Sequence, residues 1–170
     1  MSLNSNQLHI RPTRLSDLPQ LHDIYAQARA FMAQTGNPHQ WTNNYPSTDI
    51  LIADINANSS FVMLQNDKIV ATFVLHAGND PTYNTIYEGQ WLNNAPYATI
   101  HRIASNGKVK GIFQLALQFA QQRYDNLRID THQDNHIMQH AIQKAGFCYC
   151  GIIHTNNGSE RLAYQWEAKK

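Results

Sequence analysis

The chain has 170 residues, of which 42% are hydrophobic and 10% aromatic, which predicts a single folded domain over residues 1–170 with a packed core. Only 15% of the residues are charged and the formal net charge is +1, so no strong positive field is present to attract nucleic acid or an anionic membrane. No apolar run is long enough to cross a bilayer and no secretion-type apolar core opens the sequence, so we expect a cytoplasmic protein that binds neither nucleic acid nor membrane.

Hydrophobic spacing in the first half of the chain predicts a strand, two helices and a hairpin. A short strand over residues 8–12 precedes a helix that Ser16 caps and that a Gly-Asn-Pro segment ends. A second helix is predicted from about residue 48 to residue 55. Strands over residues 60–64 and 68–76 flank a Gln-Asn-Asp turn, which is typical of a hairpin.

The second half of the chain continues with alternating strands and helices. A long turn-rich segment, residues 78–96, carries Tyr83, Tyr87 and Trp91, so we expect it to pack onto the body of the protein. The elements predicted after it are a strand at 97–104, a helix at 111–124, a strand at 127–131, a helix at 135–145, and strands at 147–153 and 161–166. The order β-α-α-β-β-β-α-β-α-β-β indicates an α/β (α+β) three-layer domain, in which a central mixed sheet has helices on both faces.

Two groups of residues have the side-chain types that bind metals. Cys148 and Cys150 lie two apart on a predicted strand, so their side chains are expected to point to the same side, but this spacing favours neither a disulfide nor a complete metal site. His132, His136 and His140 have the spacing of one helix face, although His132 precedes the predicted helix start. We expect no metal site.

The strand over residues 97–104, the glycine-bearing turn over 106–111 and the following helix form a strand–loop–helix unit. A helix start presents unpaired N–H groups and the positive end of the helix dipole, and glycine lets the backbone approach a phosphate closely. Lys108 and Lys110 add positive charge to the turn. By itself the pattern is equally consistent with an ordinary β–α turn.

Two segments of the chain resemble the GNAT acetyltransferase family. Residues 100–104 followed by 106–111 look like its acetyl-CoA motif, a strand followed by a pyrophosphate loop of the form Q/R-x-x-G-x-G/A. Residues 134–147 resemble its second motif, in which an asparagine opens a helix and a Gly-Phe pair leads into the next strand. The order of elements matches from Leu8 to Trp166, so the resemblance covers nearly the whole chain.

The resemblance implies that acetyl-CoA is the cosubstrate. In the family, backbone groups pair with the pantetheine arm, loop amides hold the pyrophosphate, and an asparagine with an apolar neighbour contacts the pantetheine. Carried over to this chain, these positions are Ile103, Ala104 and Ser105 for the arm, Asn106, Gly107, Lys108, Val109, Lys110 and Gly111 for the loop, and Asn135 with Met138 for the last pair. Asn135 is also a suitable helix cap, since a cap uses only its side-chain oxygen.

The sequence departs from the family pattern at three positions. Val109 stands where the family usually has glycine and Asn106 where it has glutamine or arginine. These changes predict a different loop shape with cofactor binding retained, because backbone amides do most of the phosphate holding. Ile142 occupies the position at which many relatives have a tyrosine that protonates the departing CoA thiolate, so this proton must come from another group or from water.

Three residues are candidates for the base that accepts the amine proton. His101 lies on the strand beside the expected thioester, and imidazole titrates near neutrality. Glu88 lies in the aromatic loop, where family members often recognise the acceptor, and His132 follows the strand that would flank the cofactor.

The leading hypothesis is an acetyl-CoA-dependent N-acetyltransferase that acts on a primary amine of a small molecule, peptide or protein by direct attack. Neither cysteine lies near the proposed thioester, which disfavours a covalent acyl-enzyme. The alternative is a catalytically degenerate acyl-CoA-binding module, which the missing tyrosine and the altered loop favour. The identity of the amine stays open, and so does a homodimer.

Overall fold

The computed structural model describes residues 8–169, which form a seven-stranded mixed sheet with four helices. The strands are β1 (His9–Pro12), β2 (Ser60–Gln65), β3 (Lys68–Ala77), β4 (Ala98–Ser105), β5 (Asn126–Thr131), β6 (Cys148–His154) and β7 (Glu160–Glu167). The helices are α1 (Leu18–Gln34), α2 (Thr48–Asn56), α3 (Ile112–Gln121) and α4 (His136–Lys144). The predicted order of elements is confirmed, with single 3₁₀ turns added before α1 and within the loop that precedes β4.

The sheet has the strand order β1-β2-β3-β4-β5-β7-β6, and its neighbours are antiparallel except for β4 and β5. This parallel pair is joined only at its start, where Ala98 pairs with Leu127 and Thr99 with Arg128. Beyond these two pairs the strands separate, although β4 continues to Ser105 and β5 to Thr131. The sheet is therefore open between its two halves, and the edges of β4 and β5 face the opening.

Helices pack on both faces of the sheet, as the sequence predicts. On one face α3 and α4 cover a core that includes Phe73, Leu117 and Ile142, all at most 5% exposed. On the other face α1 and α2 contribute Tyr25 and Leu51 to a second core. Among residues 8–169 there is no helix long and apolar enough to span a membrane.

The start of α1 differs from the prediction. Asp17, not Ser16, is the residue that precedes the helix, and a 3₁₀ turn over Leu15–Asp17 leads into it. The Asp17 carboxylate accepts the backbone N–H of Arg14 at 2.8 Å and two N–H groups of Arg11 at 2.8 and 3.0 Å. The hydrogen bonds from Arg11 lower the pKa of Asp17, so the carboxylate fixes this turn in its ionised form.

The two cysteines do not share one side of β6, which corrects the prediction. Tyr149 pairs with Tyr164 and Gly151 with Ala163, so Cys150 is an extra residue in a bulge. Cys148 is exposed and Cys150 is buried, because the bulge interrupts the alternation of the strand.

Candidate active site

A cavity of about 740 Å³ lies where β4 and β5 separate. Its walls include Ile100 to Ile103 of β4 and Ile129 to Thr131 of β5. The other walls come from the loops between α1 and α2, between β3 and β4, and between β6 and β7. The opening of the sheet thus becomes a cleft that loops enclose.

A second cavity, a groove of about 300 Å³, lies between the end of α1, the end of β4 and the starts of α3 and α4. Seven of the residues predicted to bind acetyl-CoA line it, namely Ile103, Ala104, Ser105, Asn106, Gly107, Asn135 and Met138. Met32, Ile103, Asn135 and Met138 line both cavities, so the groove leads into the cleft. The other predicted residues, Lys108 to Gly111, form the turn between the groove and α3 and do not line the groove.

The turn before α3 depends on two glycines. Gly107 has φ of +76° and Gly111 has φ of +83°, a left-handed conformation that residues with a Cβ seldom adopt. Gly111 is the N-cap of α3 and no side chain caps this helix, so its first N–H groups remain available to an anion. The backbone N–H groups of Gly107 and Lys108 already have partners within the turn, since they donate to Ser105 Oγ at 3.2 Å and to Asn106 Oδ1 at 3.0 Å.

Asn135 caps α4, which confirms its structural role. Its Oδ1 accepts the backbone N–H of Met138 at 3.0 Å. Its Nδ2 is not free, because it donates to Oε1 of Gln40 at 3.0 Å. Contact between Asn135 and a pantetheine arm stays a prediction. Gln40, which lies 95 residues away in sequence, was not expected at this site.

His101 lies in the large cavity and is hydrogen-bonded to a residue that the sequence did not single out, Asp80. Nε2 of His101 and Oδ2 of Asp80 are 2.9 Å apart, and Thr82 donates its backbone N–H and its hydroxyl to Oδ1 of Asp80 at 2.9 and 2.7 Å. Burial opposes ionisation of Asp80, but the hydrogen bonds from His101 and Thr82 outweigh it and lower the pKa to about 2. An ionised carboxylate only accepts, so Nε2 carries the proton and Nδ1 is the basic nitrogen.

The other two candidate bases lie elsewhere. Glu88 is exposed, has φ of +56° and lies next to Tyr87, which bridges to Ile152 at the outer strand β6. His132 is buried, and burial lowers its pKa. Its Nδ1 accepts the backbone N–H of Asp134 at 3.0 Å. Neither Glu88 nor His132 lines either cavity, so the structure does not bring them to His101.

Asp130 lies across the cleft from His101. Thr99 pairs with Arg128, and continuing this parallel register by two residues places His101 level with Asp130. Both residues line the cavity. Tyr83 donates its hydroxyl to Oδ2 of Asp130 at 2.6 Å. Asp54 also lines the cavity, but Arg102 neutralises it through two hydrogen bonds of 2.6 and 2.8 Å. Within residues 8–169, Asp130 has no cationic side chain within 4.0 Å.

The chain matches no family model and no curated protein. Among solved structures it matches a GNAT-family acetyltransferase from Streptococcus agalactiae 2603, with 32% identity over 96% of each chain and a TM-score of 0.82. The chain belongs to the GNAT acetyltransferase family. A GNAT-family acetyltransferase from Listeria monocytogenes 4b F2365 is 15% identical over 98% of each chain, with a TM-score of 0.72. An N-acetyltransferase from Staphylococcus aureus Mu50 is 16% identical over 96% of this chain and 99% of its own, with a TM-score of 0.61. These last two share the fold.

Two features bear on GNAT chemistry in this chain. Ile142, at the position of the family's tyrosine, is fully buried in the core that α3 and α4 cover, so this position does not reach the cleft. In the part of the chain from 8 to 169, no three His, Cys, Asp or Glu residues are grouped so that they could hold a metal ion.

Proposed function

We propose that this chain transfers the acetyl group of acetyl-CoA to a primary amine by direct attack, with His101 as the general base. The observation that carries the proposal is the hydrogen bond between Asp80 and His101 inside the cleft. It fixes the tautomer that leaves Nδ1 basic, and within residues 8–169 Nδ1 has no hydrogen-bond partner. A base in this state, positioned by a carboxylate, is what the removal of an amine proton requires.

The groove fits an acyl-CoA. It has a mainly apolar lining and runs beside the last residues of β4, whose edge is not paired with β5. Its far end reaches the turn before α3, where the uncapped helix start and the exposed Lys108 and Lys110 would attract phosphate. An acyl-CoA whose pantetheine arm runs along β4 and whose phosphates lie at the start of α3 would have its acyl group in the cleft, beside His101.

The chemical step then balances without a covalent enzyme intermediate. The nitrogen of the neutral amine adds to the carbonyl carbon, its proton passes to Nδ1 of His101, and the carbon–sulfur bond breaks to release CoA as a thiolate. Asp80 stays ionised and stabilises the imidazolium that forms. Neither Cys148 nor Cys150 lines either cavity, which supports direct attack over acylation of a cysteine.

Asp130 supports an amine as the acceptor. Its Oδ1 has no hydrogen-bond partner in the described chain and is not among the buried atoms that lack one, so it is accessible. An ammonium group bound there would lie opposite His101 before it loses its proton. The cavity volume of about 740 Å³ lies within the range of small-molecule sites. We therefore propose a small amine as the acceptor.

The second candidate function is an acyl-CoA-binding module without activity, which the burial of Ile142 at the tyrosine position favours. Two measurements on the same preparation separate the candidates: calorimetry with acetyl-CoA, and thiol release from acetyl-CoA across a panel of small amines and peptides. Binding with amine-dependent thiol release supports the enzyme. Binding without release for any amine supports the module, and the absence of binding refutes both.

A further inference from the structure

The orientation of the Gln40 side-chain amide is determined by hydrogen bonds that lead back to a backbone N–H group through Asn135. The backbone N–H of Met138 can only donate, so the atom of Asn135 that faces it at 3.0 Å is the oxygen. The Nδ2 group of Asn135 must then face Gln40, and the atom of Gln40 that it meets at 3.0 Å must be the acceptor, Oε1. The positions of the oxygen and the nitrogen in the Gln40 amide thus follow from the backbone N–H of Met138, and not from an arbitrary choice between two atoms of similar size.

Two more donors meet the same oxygen. Nδ2 of Asn37 lies 3.0 Å from Oε1 of Gln40, and the hydroxyl of Thr131 lies 3.4 Å from it. Rotating the amide by half a turn would bring its NH₂ group against the N–H groups of Asn37 and Asn135. In addition, Arg161 donates to the backbone carbonyl of Gln40 at 2.8 Å, so both the side chain and the main chain of this residue are held.

The opposite end of the amide, Nε2, is left with its two N–H groups unused. In the described part of the chain no acceptor lies within hydrogen-bond distance of it, and it is not one of the buried nitrogens without a partner, so it is accessible. Gln40 lines the cleft. It touches Asn135, which lines both the cleft and the groove. The free N–H groups therefore lie at the junction where an acyl chain passes from the groove into the cleft.

We propose that Nε2 of Gln40 donates a hydrogen bond to the carbonyl oxygen of the thioester. When the amine adds to the carbonyl carbon, the π electrons of the C=O bond move onto this oxygen, which becomes negatively charged. A donor that three hydrogen bonds already hold in place stabilises this charge without having to reorganise. The role rests on the proposed function, because it requires an acyl-CoA in the groove.

Binding tests the contact without any need for turnover. S-ethyl-CoA has a methylene group in place of the carbonyl of acetyl-CoA and is otherwise the same probe. Calorimetry is expected to show that the parent protein prefers acetyl-CoA by about 3- to 10-fold, the value of one net hydrogen bond. Gln40→Glu keeps an oxygen for Asn37, Asn135 and Thr131 but removes the donor, so the preference is expected to disappear.

The charge that Gln40→Glu introduces is controlled in two ways. Both probes carry the same phosphates, so a general repulsion cancels in the ratio of their affinities. Gln133→Glu, at an exposed position that lines neither cavity, adds the same charge nearby and is expected to keep the preference. Should Gln40→Glu fail to fold, Gln40→Met removes the donor without adding a charge.

Turnover supplies the second readout. In an active enzyme, loss of this donor is expected to lower kcat by roughly 10²- to 10³-fold, and in the uncharged variant Gln40→Met the affinity for S-ethyl-CoA is expected to stay unchanged. A parent without preference for acetyl-CoA, or a Gln40→Glu variant that retains the preference, overturns the proposal. A preference that Gln40→Glu abolishes in a protein that releases no thiol with any amine supports the contact and refutes the proposed function instead.

Discussion

Replacing Asp80 by asparagine changes one atom of the site and is expected to reverse the tautomer of His101. The backbone N–H of Thr82 donates to Oδ1 of Asp80 at 2.9 Å, so in Asp80→Asn the amide oxygen must stay on that side. The new NH₂ group then faces Nε2 of His101, 2.9 Å away. Two donors cannot share this contact, so the imidazole proton moves to Nδ1, which can then no longer accept a proton.

The expected loss is that of a general base. Removing such a group costs about 10²- to 10⁴-fold in rate, and Asp80→Asn is expected to lower kcat by this amount. The affinity for acetyl-CoA is expected to stay the same, because Asp80 does not line the groove. His101→Ala is expected to lower kcat to a similar level, and the double variant should be no slower than either single one, since both changes remove the same function.

The pH dependence of protein stability gives an independent test of the interaction between Asp80 and His101. The pKa of Asp80 is about 2, against about 3.9 for an unperturbed aspartate, so its ionisation contributes at most about 3 kcal/mol to the free energy of unfolding at neutral pH. Because the pKa is lowered on folding, this contribution is present above about pH 4 and is lost as the pH falls towards 2. Asp80→Asn is expected to lack this part of the acid dependence in denaturant titrations. Full turnover in Asp80→Asn, or rate losses that multiply in the double variant, would refute the assignment of the base.

Three further predictions concern ligand binding. Gly111→Glu is expected to abolish CoA binding measured by calorimetry, whereas Gly111→Gln, which has the same backbone strain at φ of +83° but no charge, should bind more weakly than the parent yet measurably. Asp130→Asn is expected to raise the KM for the amine by about 10-fold or more, as a charge-assisted hydrogen bond predicts, with the KM for acetyl-CoA unchanged; an equal KM for the amine would exclude Asp130 as its binding group. Asn135→Asp keeps the α4 cap but turns an oxygen towards Gln40. The Gln40 amide should then rotate together with that of Asn37, whose Oδ1 is buried without a partner and can accept from the rotated group. This variant is therefore expected to lose the preference for acetyl-CoA over S-ethyl-CoA, and a retained preference would show that the amide does not rotate.

The elements of the fold could be predicted because their signals are local. The apolar spacing of α1 and α3, the turn residues between β2 and β3, and the glycines around β4 each act within a few residues. The predictions fail where a single residue shifts the pattern. Cys150 is displaced by a bulge, and Asp17 replaces Ser16 at the start of α1 because Arg11 and Arg14 bind its carboxylate.

The candidate site could be predicted only where it lies on one stretch of chain. The turn up to Gly111 and the start of α4 at Asn135 are such stretches. The partners on which the proposed chemistry depends are distant in sequence, since Asp80 meets His101 over 21 residues and Gln40 meets Asn135 over 95. Asp80 does carry a local signal, an Asp-Pro-Thr helix start, but this signal indicates a cap and not a hydrogen bond to a histidine.

For catalysis, the absence of the family's tyrosine as an acid matters less than the presence of a base, because a thiol and an alkylammonium differ in pKa. An ordinary thiol has a pKa near 8.5, so at pH 7 the CoA thiolate is only about 2 kcal/mol higher in free energy than the protonated thiol. An alkylammonium has a pKa near 10.4, and its conversion to the neutral amine at pH 7 costs roughly 5 kcal/mol. The proton on the amine is therefore the larger obstacle, and Asp80 and His101 lie in the cleft where we propose that it is removed. Ile142 is buried in the core at the position of the family's tyrosine, so in the proposed reaction the thiolate takes its proton from water after release and no dedicated acid is required.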